Sequence, residues 1–204
     1  MMKLRWSPGS PYVRKVMVMA HETGLIDQIE LIPTNPWDAA TDVGDDNPLG
    51  KVPTLILEDG TKFFDSLLIC EYLDDLHGGT HLFPRQDRNL HWLALRLHAA
   101  AHGILDAAVA CRIEETFRPS NYRWDDWIER QKVVIGRALD YLEKRAEGLS
   151  GRVTIGHLAI GCALGYLEFR QPDDKWLDER PDLADWFDRF NQRPSMEATM
   201  PSDR

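Results

Sequence analysis

The chain has 204 residues, 43% of them hydrophobic and 28% charged, which is an ordinary balance for a soluble globular protein and enough length for one large domain or two small ones. Its formal net charge of −9 argues against a nucleic-acid partner, since nucleic-acid-binding proteins usually present a basic face. No apolar run approaches the roughly 18–20 residues that cross a bilayer, so we expect no membrane partner either.

The first 78 residues alternate between strand-like and helical patterns. Two strand-like runs, "KLRW" and "IELIP", flank the helical pattern "SPYVRKVMVMAHETG", in which Ser10 is the predicted N-cap. A third strand, "VPTLILEDG", turns at Asp59-Gly60 into "TKFF", because an Asp-Gly pair between strand-like runs is a strong hairpin signal. The helix "DSLLICEYLDDLHGG" then begins at Asp65-Ser66. This order predicts an α/β domain over residues 1–78 with a mixed four-stranded sheet.

Residues 79–86 are the predicted linker, because "GGTHLFPRQD" places two glycines and a proline between periodic segments. Residues 87–204 carry only helical periodicity and predict an all-α helical-bundle domain. The segment "VTIGHLAIGCALGYLEF" is apolar almost all round, which predicts the central buried helix. Two further apolar rows have helical spacing: Leu93, Leu97, Ala100 and Ile104, and Ile128, Ile135, Leu139 and Leu142.

The three cysteines, Cys70, Cys111 and Cys162, lie far apart in apolar helical contexts. An odd number without CxxC spacing favours reduced core thiols over disulfides or a zinc site. Reduced thiols are typical of the cytoplasm, which is the predicted location.

Three polar features of the first domain are expected at one end of its sheet. Ser10 lies where the first strand meets a helix, Val52-Pro53 precedes a strand, and Asp65-Ser66 starts the last helix. Ser10 has two interpretations: a simple helix cap, or a hydroxyl that holds an anion at the positive end of a helix. Asp65 and Ser66 have the same two interpretations, and capping does not exclude ligand binding.

The motifs "SPYVRKV", "NPLGKVPTL" and "FDSLLICEYLDD", in this order ahead of an all-helical domain, resemble those of a bacterial glutathione S-transferase. The resemblance covers essentially the whole chain. It implies a thioredoxin-like N-terminal domain, glutathione as co-substrate, no metal, and a small hydrophobic electrophile as second substrate. It also implies a homodimer with a role in detoxification.

The resemblance assigns roles in glutathione binding to five residues of the first domain. Pro53 is implied to follow a cis peptide bond, although a trans bond is the commoner state of X–Pro. Val52 is implied to pair its main-chain N–H and C=O with the cysteinyl part of glutathione, as an added strand does. Asp65 and Ser66 are implied to hold the γ-glutamyl ammonium and carboxylate, and Lys51 to meet the glycyl carboxylate.

Ser10 is the implied catalytic residue: its O–H donates to the glutathione sulfur and keeps it ionised. Some relatives carry cysteine at this position, and serine cannot form a mixed disulfide, so we expect conjugation rather than thiol transfer. Ser7 is a weaker rival for the same role. The relatives also often open the central helix with Ser/Thr-x-x-Asp, whereas this chain has Thr154-Ile-Gly-His157.

Two patterns in the second domain suggest other chemistry. His98, His102 and Asp106 share a helix face, but eight residues of helix span about 12 Å, too far for one metal ion to reach both ends. We instead expect His102 and Arg112 to face a pocket for the electrophile between the domains. Core packing is the expected role of four tryptophans at helical spacings: Trp124, Trp127, Trp176 and Trp186.

Two alternative functions remain open from the sequence. One is another glutathione-dependent enzyme on the same scaffold, such as a peroxidase, isomerase or lyase. The other is a non-catalytic glutathione-binding or interaction protein that keeps the fold.

Overall fold

The structure is a computed structural model that describes residues 1–203. The chain divides into two compact units. The first unit contains residues 1–83 together with the segment from Pro194 onward, and the second contains Pro84–Arg193. The predicted fold class, an α/β domain with a mixed four-stranded sheet followed by an all-α domain, is confirmed.

The sheet of the first unit has the strand order β2-β1-β3-β4. Its strands are β1 Met2–Trp6, β2 Ile29–Pro33, β3 Thr54–Ile56 and β4 Lys62–Phe64. Strand β1 pairs in parallel with β2 and antiparallel with β3, and β3 pairs antiparallel with β4. The Asp59-Gly60 turn that the sequence predicted joins β3 to β4, with Gly60 at a φ of +84°.

Eight α-helices accompany the sheet in the described part of the chain. They are α1 Pro11–Glu22, α2 Val43–Asp46, α3 Ser66–Leu76, α4 Arg88–Thr116, α5 Asp125–Glu143, α6 Ile155–Arg170, α7 Pro181–Asn191 and α8 Pro194–Glu197. In the first unit α1 and α3 pack against each other beside the sheet, and Leu4, Leu55, Val16 and Ile69 are fully buried there. This packing fixes the first turns of both helices relative to the strands.

The segment after Pro194 belongs to the first unit, although the sequence analysis assigned it to the second domain. Helix α8 packs on α1, where Arg14 Nη2 donates a hydrogen bond of 3.2 Å to the Met196 carbonyl. Ser195 Oγ also donates to the Glu22 carboxylate of α1. These contacts join residues about 180 positions apart, which no local pattern reveals.

Helix α6 is the buried centre of the second unit, as predicted. Every residue from Ile155 to Leu167 is buried. At Gly156 a Cβ atom would lie 2.8 Å from the Ala94 carbonyl oxygen and 2.8 Å from Leu97 Cβ, so α4 and α6 approach as closely as their backbones allow. A glycine is required for that approach.

Helix α4 contains an 18-residue window that, by length and composition alone, is apolar enough to cross a bilayer. It packs instead along α5 and α6, and 44% of the window is buried. A helix in the core of a soluble protein meets the same criterion, and we therefore treat α4 as a core helix of the second unit.

Two core predictions for the second unit are wrong. Trp124 and Trp127 are exposed, and their rings stack on each other with centroids 6.0 Å apart. Leu93, which begins one of the apolar rows, is also 39% exposed. Trp186 is buried as predicted, and its indole N–H donates to the Leu149 carbonyl at 3.1 Å.

The start of α6 shows why His157 replaces the usual carboxylate. The Thr154 N–H donates to His157 Nδ1 at 3.1 Å, so the imidazole accepts the hydrogen bond that Asp or Glu accepts in an ordinary capping box. Both residues are buried. Burial, the largest contribution, lowers the pKa of His157 below its ordinary value, and the neutral ring can therefore serve as the acceptor.

This cap predicts a pH-dependent stability. Because the pKa of His157 is lower in the folded state, the unfolded chain binds a proton at higher pH than the folded chain does. The contribution of His157 is therefore complete above about pH 6.5 and is lost as the pH falls below that value, with a slope of at most about 1.4 kcal/mol per pH unit.

His157→Asn keeps a side-chain acceptor for the Thr154 N–H but cannot titrate. We expect a shallower loss of unfolding free energy between pH 7 and pH 5 than in the wild type, measured by urea unfolding at each pH. Equal slopes in the two proteins would show that His157 is not the titrating group.

Candidate functional site

The pairing register brings three chain segments to one end of the sheet. Arg5 in β1 is opposite Thr54 in β3, and Thr54 is opposite Phe64 in β4. Strand β1 therefore ends where β3 begins and β4 ends. The residues just beyond that line are the loop from β1 to Ser10, the Val52–Pro53 pair and the Asp65–Ser66 pair, so the convergence that the sequence predicted follows from the observed register.

Ser10 is the N-cap of α1, with extended backbone angles of φ −87° and ψ 119°. Its Oγ accepts a hydrogen bond from the Val13 N–H at 3.3 Å, and its carbonyl accepts from the Arg14 N–H at 3.0 Å. A hydroxyl oxygen that accepts from a helix N-terminus still has its O–H to donate, and accepting a hydrogen bond strengthens that donation. Capping and anion binding by Ser10 are therefore compatible.

The Val52–Pro53 peptide bond is cis, as the family resemblance implied. Among residues 1–203, no main-chain hydrogen bond outside the strands and helices involves the N–H or the C=O of Val52. The Val52 side chain is buried while its neighbour Lys51 is exposed. Val52 thus offers one main-chain donor and one acceptor beside the start of β3, which is the arrangement that an added strand uses.

Asn47 holds this turn in place, and the sequence analysis did not identify it. Its buried side-chain amide donates to the Lys51 carbonyl at 2.8 Å and to Thr54 Oγ1 at 3.2 Å, and its Oδ1 accepts from the Leu49 N–H. The Thr54 hydroxyl also donates to the Lys51 carbonyl, at 3.0 Å. The chain is fixed on both sides of Val52, which makes Asn47 a positioning residue for that main-chain pair.

Asp65 is one of two residues other than glycine with positive φ in the described chain, at φ 74° and ψ 124°. Its Oδ1 caps α3 by accepting from the Leu67 N–H at 2.7 Å and the Leu68 N–H at 3.4 Å. The carboxylate is exposed, so its remaining lone pairs face solvent. Strained backbone of this kind is concentrated at ligand-binding positions, which makes Asp65 a strong site candidate.

Ser66 is the next candidate ligand contact, because it begins the first turn of α3. The residue is only 3% exposed, and its Oγ is a buried atom without a hydrogen-bond partner among the described residues. Buried hydroxyls are normally bonded, so each exception requires an explanation. A ligand oxygen at the first turn of α3 would satisfy this one.

The remaining predicted site residues have less distinctive surroundings. The Lys51 side chain is exposed, while its carbonyl is bound by Asn47 and Thr54. His102 and Arg112 both lie on α4 in the second unit, ten residues or about 15 Å apart along the helix. His102 Nε2 lies 3.7 Å from the Asp106 carboxylate, and its ring stacks on His98. The structure does not bring His102 and Arg112 together.

The cysteines do not supply a reactive thiolate at this site. All three are buried and free of disulfides, as predicted. Cys111 Sγ contacts the Ile128 carbonyl at 3.8 Å, and burial, the largest contribution, raises the pKa of its thiol to about 11. A thiol with such a pKa stays protonated near neutral pH and is a poor nucleophile.

A cluster of four charged residues fastens the segment between β2 and β3 to the sheet. Arg5 donates to the carboxylates of Asp42 and Asp46, and Lys62 pairs with Asp46 at 2.9 Å. The hydrogen bond to Asp42 is the main reason that the pKa of Arg5 is raised, and the hydrogen bond from Lys62 is the main reason that the pKa of Asp46 is lowered. Because α2 immediately precedes Asn47, this cluster anchors the start of the Val52–Pro53 turn.

This end of the sheet therefore offers three sets of polar groups. They are the Ser10 hydroxyl at the N-terminus of α1, the main-chain N–H and C=O of Val52, and the Asp65 carboxylate next to the buried Ser66 hydroxyl. This set suits a short peptide with a zwitterionic end and an anionic centre. The fold and this arrangement define a two-unit protein with a thioredoxin-like first unit.

Comparison with known proteins identifies the family. Residues 9–76 match the N-terminal domain of glutathione S-transferases, and residues 125–189 match the C-terminal domain. The chain is 36% identical to the uncharacterized GST-like protein YibF of Escherichia coli K12, over 98% of this chain and 98% of YibF. The chain therefore belongs to the glutathione S-transferase family.

Two solved structures are similar over nearly the whole chain. A glutathione transferase family member from Pseudomonas fluorescens Pf-5 with bound glutathione has a TM-score of 0.93 and 43% identity, covering 99% of this chain and 100% of that chain. A glutathione S-transferase from Methylobacillus flagellatus KT with glutathione bound has a TM-score of 0.92 and 36% identity, with the same coverage.

The role of Asn47 predicts an effect on stability. Asn47→Ala removes the amide that bonds the Lys51 carbonyl and Thr54, which leaves buried polar groups with fewer partners. We expect a loss of about 1–3 kcal/mol in the free energy of unfolding, measured by urea denaturation.

Asn35→Ala is the matched control, because Asn35 makes a similar local bond to the Trp37 N–H at an exposed position. We expect it to change stability by less than about 0.5 kcal/mol. Equal costs for the two variants would contradict a positioning role for Asn47.

Proposed function

We propose that the protein is a glutathione transferase that activates glutathione as a thiolate for attack on a small hydrophobic electrophile. The proposal rests above all on one observation: Ser10, the Val52 main chain and the unpartnered Ser66 hydroxyl all lie at the same end of the sheet. The relatives with bound glutathione support the choice of ligand.

In this proposal each part of the tripeptide has its own set of contacts. The γ-glutamyl carboxylate accepts from the Ser66 hydroxyl at the electropositive N-terminus of α3, and the α-ammonium pairs with the Asp65 carboxylate. The cysteinyl unit pairs with the Val52 N–H and C=O after the cis peptide bond at Pro53. Lys51 meets the glycyl carboxylate. The sulfur then lies near Ser10.

The hydrogen bond from Ser10 is strong enough to ionise the thiol. A free thiol has a pKa of about 8.5, so only a few per cent is thiolate at neutral pH. One hydrogen bond to an anion contributes roughly 1.5–3 kcal/mol, and the helix N-terminus adds about 0.3–1 kcal/mol. At about 1.4 kcal/mol for each pKa unit, the two effects lower the thiol pKa by about 1–3 units.

The chemical step is nucleophilic displacement or addition. The sulfur lone pair forms a bond to an electrophilic carbon, and in a displacement the leaving group departs with the bonding electrons. The thiol proton has already gone to solvent, because Ser10 stabilises the thiolate without accepting that proton. His102 and Arg112 lie about 15 Å apart along α4, so a small electrophile contacts at most one of them.

The proposed setting is detoxification in the cytoplasm by a homodimer. Three buried cysteines that form no disulfide within residues 1–203 are consistent with a reducing compartment. Exposed apolar side chains suited to an interface occur in both units, including Leu68 on α3 and Trp92 on α4. Sedimentation equilibrium tests the assembly, and a mass of one chain would exclude the dimer.

Ser10→Ala tests the mechanism. We expect turnover of a chlorodinitrobenzene-type substrate to fall by about 10–100-fold, glutathione affinity to change by less than about 3-fold, and the apparent pKa of the bound thiol to rise by about 1–2 units. The pKa is measured from the pH profile of the rate and from the ultraviolet absorbance of the bound thiolate.

Two variants control for the loss of the helix cap, which itself costs about 1 kcal/mol of stability. Ser10→Thr keeps both the hydroxyl and the cap and should retain most of the activity. Ser7→Ala alters the neighbouring serine and should leave the thiol pKa unchanged. Unaltered turnover in Ser10→Ala would refute the assignment, and peroxide reduction without any conjugation would favour the peroxidase alternative.

Ser66→Ala separates ligand binding from folding. Because the Ser66 Oγ has no hydrogen-bond partner within residues 1–203, we expect the free energy of unfolding to change by less than about 0.5 kcal/mol. Loss of its bond to the γ-glutamyl carboxylate should weaken glutathione binding by about 10–100-fold, measured by calorimetry.

Ser195→Ala is the reciprocal control, since Ser195 is equally buried in the first unit but is bonded to Glu22. It should lower stability by about 1 kcal/mol and leave glutathione affinity unchanged. If Ser66→Ala binds glutathione as tightly as the wild type, the proposed binding position of the γ-glutamyl group is wrong.

A further inference from the structure

The end of α3 contains a cluster of two histidines and an aspartate that glutathione chemistry does not use. Asp74 is fully buried, yet it carries a carboxylate on the last turn of the helix. One carboxylate oxygen accepts from the Leu82 N–H at 2.6 Å, and the other accepts from the Phe83 N–H at 3.1 Å. These two bonds hold the carboxylate in a fixed orientation and leave a lone pair on each oxygen.

Two imidazole rings face the remaining lone pairs. His77 Nε2 lies 3.3 Å from Asp74 Oδ1, and His81 Nδ1 lies 3.4 Å from Asp74 Oδ2. One ligand atom from each of the three residues can be chosen so that all lie within 4.8 Å of one another. His77 and Asp74 have little contact with solvent, whereas the His81 side chain is 45% exposed and leaves a path for entry.

Each separation matches one edge of a metal coordination polyhedron, and the two edges involve different oxygens of the same carboxylate. Ligand atoms about 2.0–2.2 Å from a tetrahedral zinc ion are about 3.3–3.6 Å apart. The contact of His77 Nε2 with Asp74 is a long hydrogen bond, and the 3.4 Å contact of His81 Nδ1 with the other carboxylate oxygen lies beyond the preferred range for N–H···O bonds. We propose that Asp74, His77 and His81 bind a divalent transition metal ion of the zinc type.

The donor set selects the class of ion. Two neutral imidazoles and one carboxylate suit Zn²⁺ and its neighbours in the first transition row rather than Ca²⁺ or Mg²⁺, which take only oxygen ligands. Three protein ligands leave a fourth position for water. The Leu82 and Phe83 amides act as the outer partners that orient the ligating carboxylate.

Metal binding requires two local rearrangements, and each has a specific signature. His81 Nδ1 lies 2.8 Å from the Asp74 main-chain carbonyl, a hydrogen bond that coordination replaces. His77 Nδ1 accepts from the Gly79 N–H at 3.1 Å. When Nε2 binds the ion, the ring proton moves to Nδ1, and the Gly79 N–H has to turn away. The adjacent Gly78 and Gly79 give the backbone the freedom to do so.

The bound ion would cross-link the end of α3 to the segment 77–83 that leads out of the first unit. Its effect would be to stabilise that segment, because an ion that binds only the folded chain shifts the unfolding equilibrium by mass action. This role is independent of the proposed transferase activity, since none of the three ligands belongs to the glutathione site.

The experiment uses the full chain without an affinity tag, after removal of metals with a chelator. Co²⁺ is the probe, because it replaces Zn²⁺ and its visible absorption reports four- or five-coordination. We expect one equivalent to bind, Zn²⁺ to displace it, and Zn²⁺ at about 100 times its Kd to raise the unfolding midpoint by about 5–10 °C.

His77→Gln and His81→Gln should each weaken binding by at least about 100-fold. His102→Gln is the matched control, because His102 belongs to the other histidine pair and should have no effect on Co²⁺ affinity. The melting temperature of each metal-free variant shows whether it folds, and the Gly79 amide resonance in NMR spectra should shift on addition of Zn²⁺ to the wild type.

The proposal is wrong if Co²⁺ binds equally well to the His77→Gln and His81→Gln variants, or if His102→Gln alone reduces binding. It is also wrong if the folded wild type binds no Zn²⁺ below millimolar concentration, or if Zn²⁺ binds without any change at Gly79.

Discussion

The antiparallel pairing of β3 with both β1 and β4 is the constraint on which the candidate site depends. Thr54 lies opposite both Arg5 and Phe64, so the end of β1, the start of β3 and the end of β4 are level with one another. Side chains alternate between the faces of a sheet, so a slip of one residue would turn the fully buried Leu55 away from the core. Burial of the core and assembly of the site therefore require the same register.

Hydrogen bonding separates the residues that support the site from those that are available to a ligand. Asn47 uses its side-chain amide entirely within the chain, and its bonds fix the loop on either side of Val52. The Ser66 hydroxyl makes no such bond to any residue that the structure describes, although Ser66 is similarly buried. Ser10 is intermediate, because its oxygen accepts from α1 while its proton stays available. The same type of polar side chain thus serves folding at one position and recognition at another.

Local signals made most of the fold and the three site segments predictable from the sequence. The Asp59-Gly60 hairpin, the Ser10 cap and the all-round apolar pattern of α6 each depend on residues close in the chain. Features that depend on tertiary contacts were missed. The hydrogen bonds of the Asn47 side-chain amide form only when its loop is folded. The hydrogen bonds of Asp74 to residues as far along the chain as Phe83 form only when the chain folds back after α3, and no periodic sequence pattern predicts that. Exposure of Trp124 likewise depends on what packs beside α5, which helical spacing does not specify.

Gly156 has a consequence for how proteins of this family diverge. Since the backbones of α4 and α6 already touch at that glycine, substitutions on other faces of α4 alter side chains without moving the helix that carries them. His102 and Arg112 lie on that same helix. Selection can therefore change the chemical character of α4 residue by residue, while the absence of a Cβ atom at Gly156 keeps the distance between α4 and α6 constant.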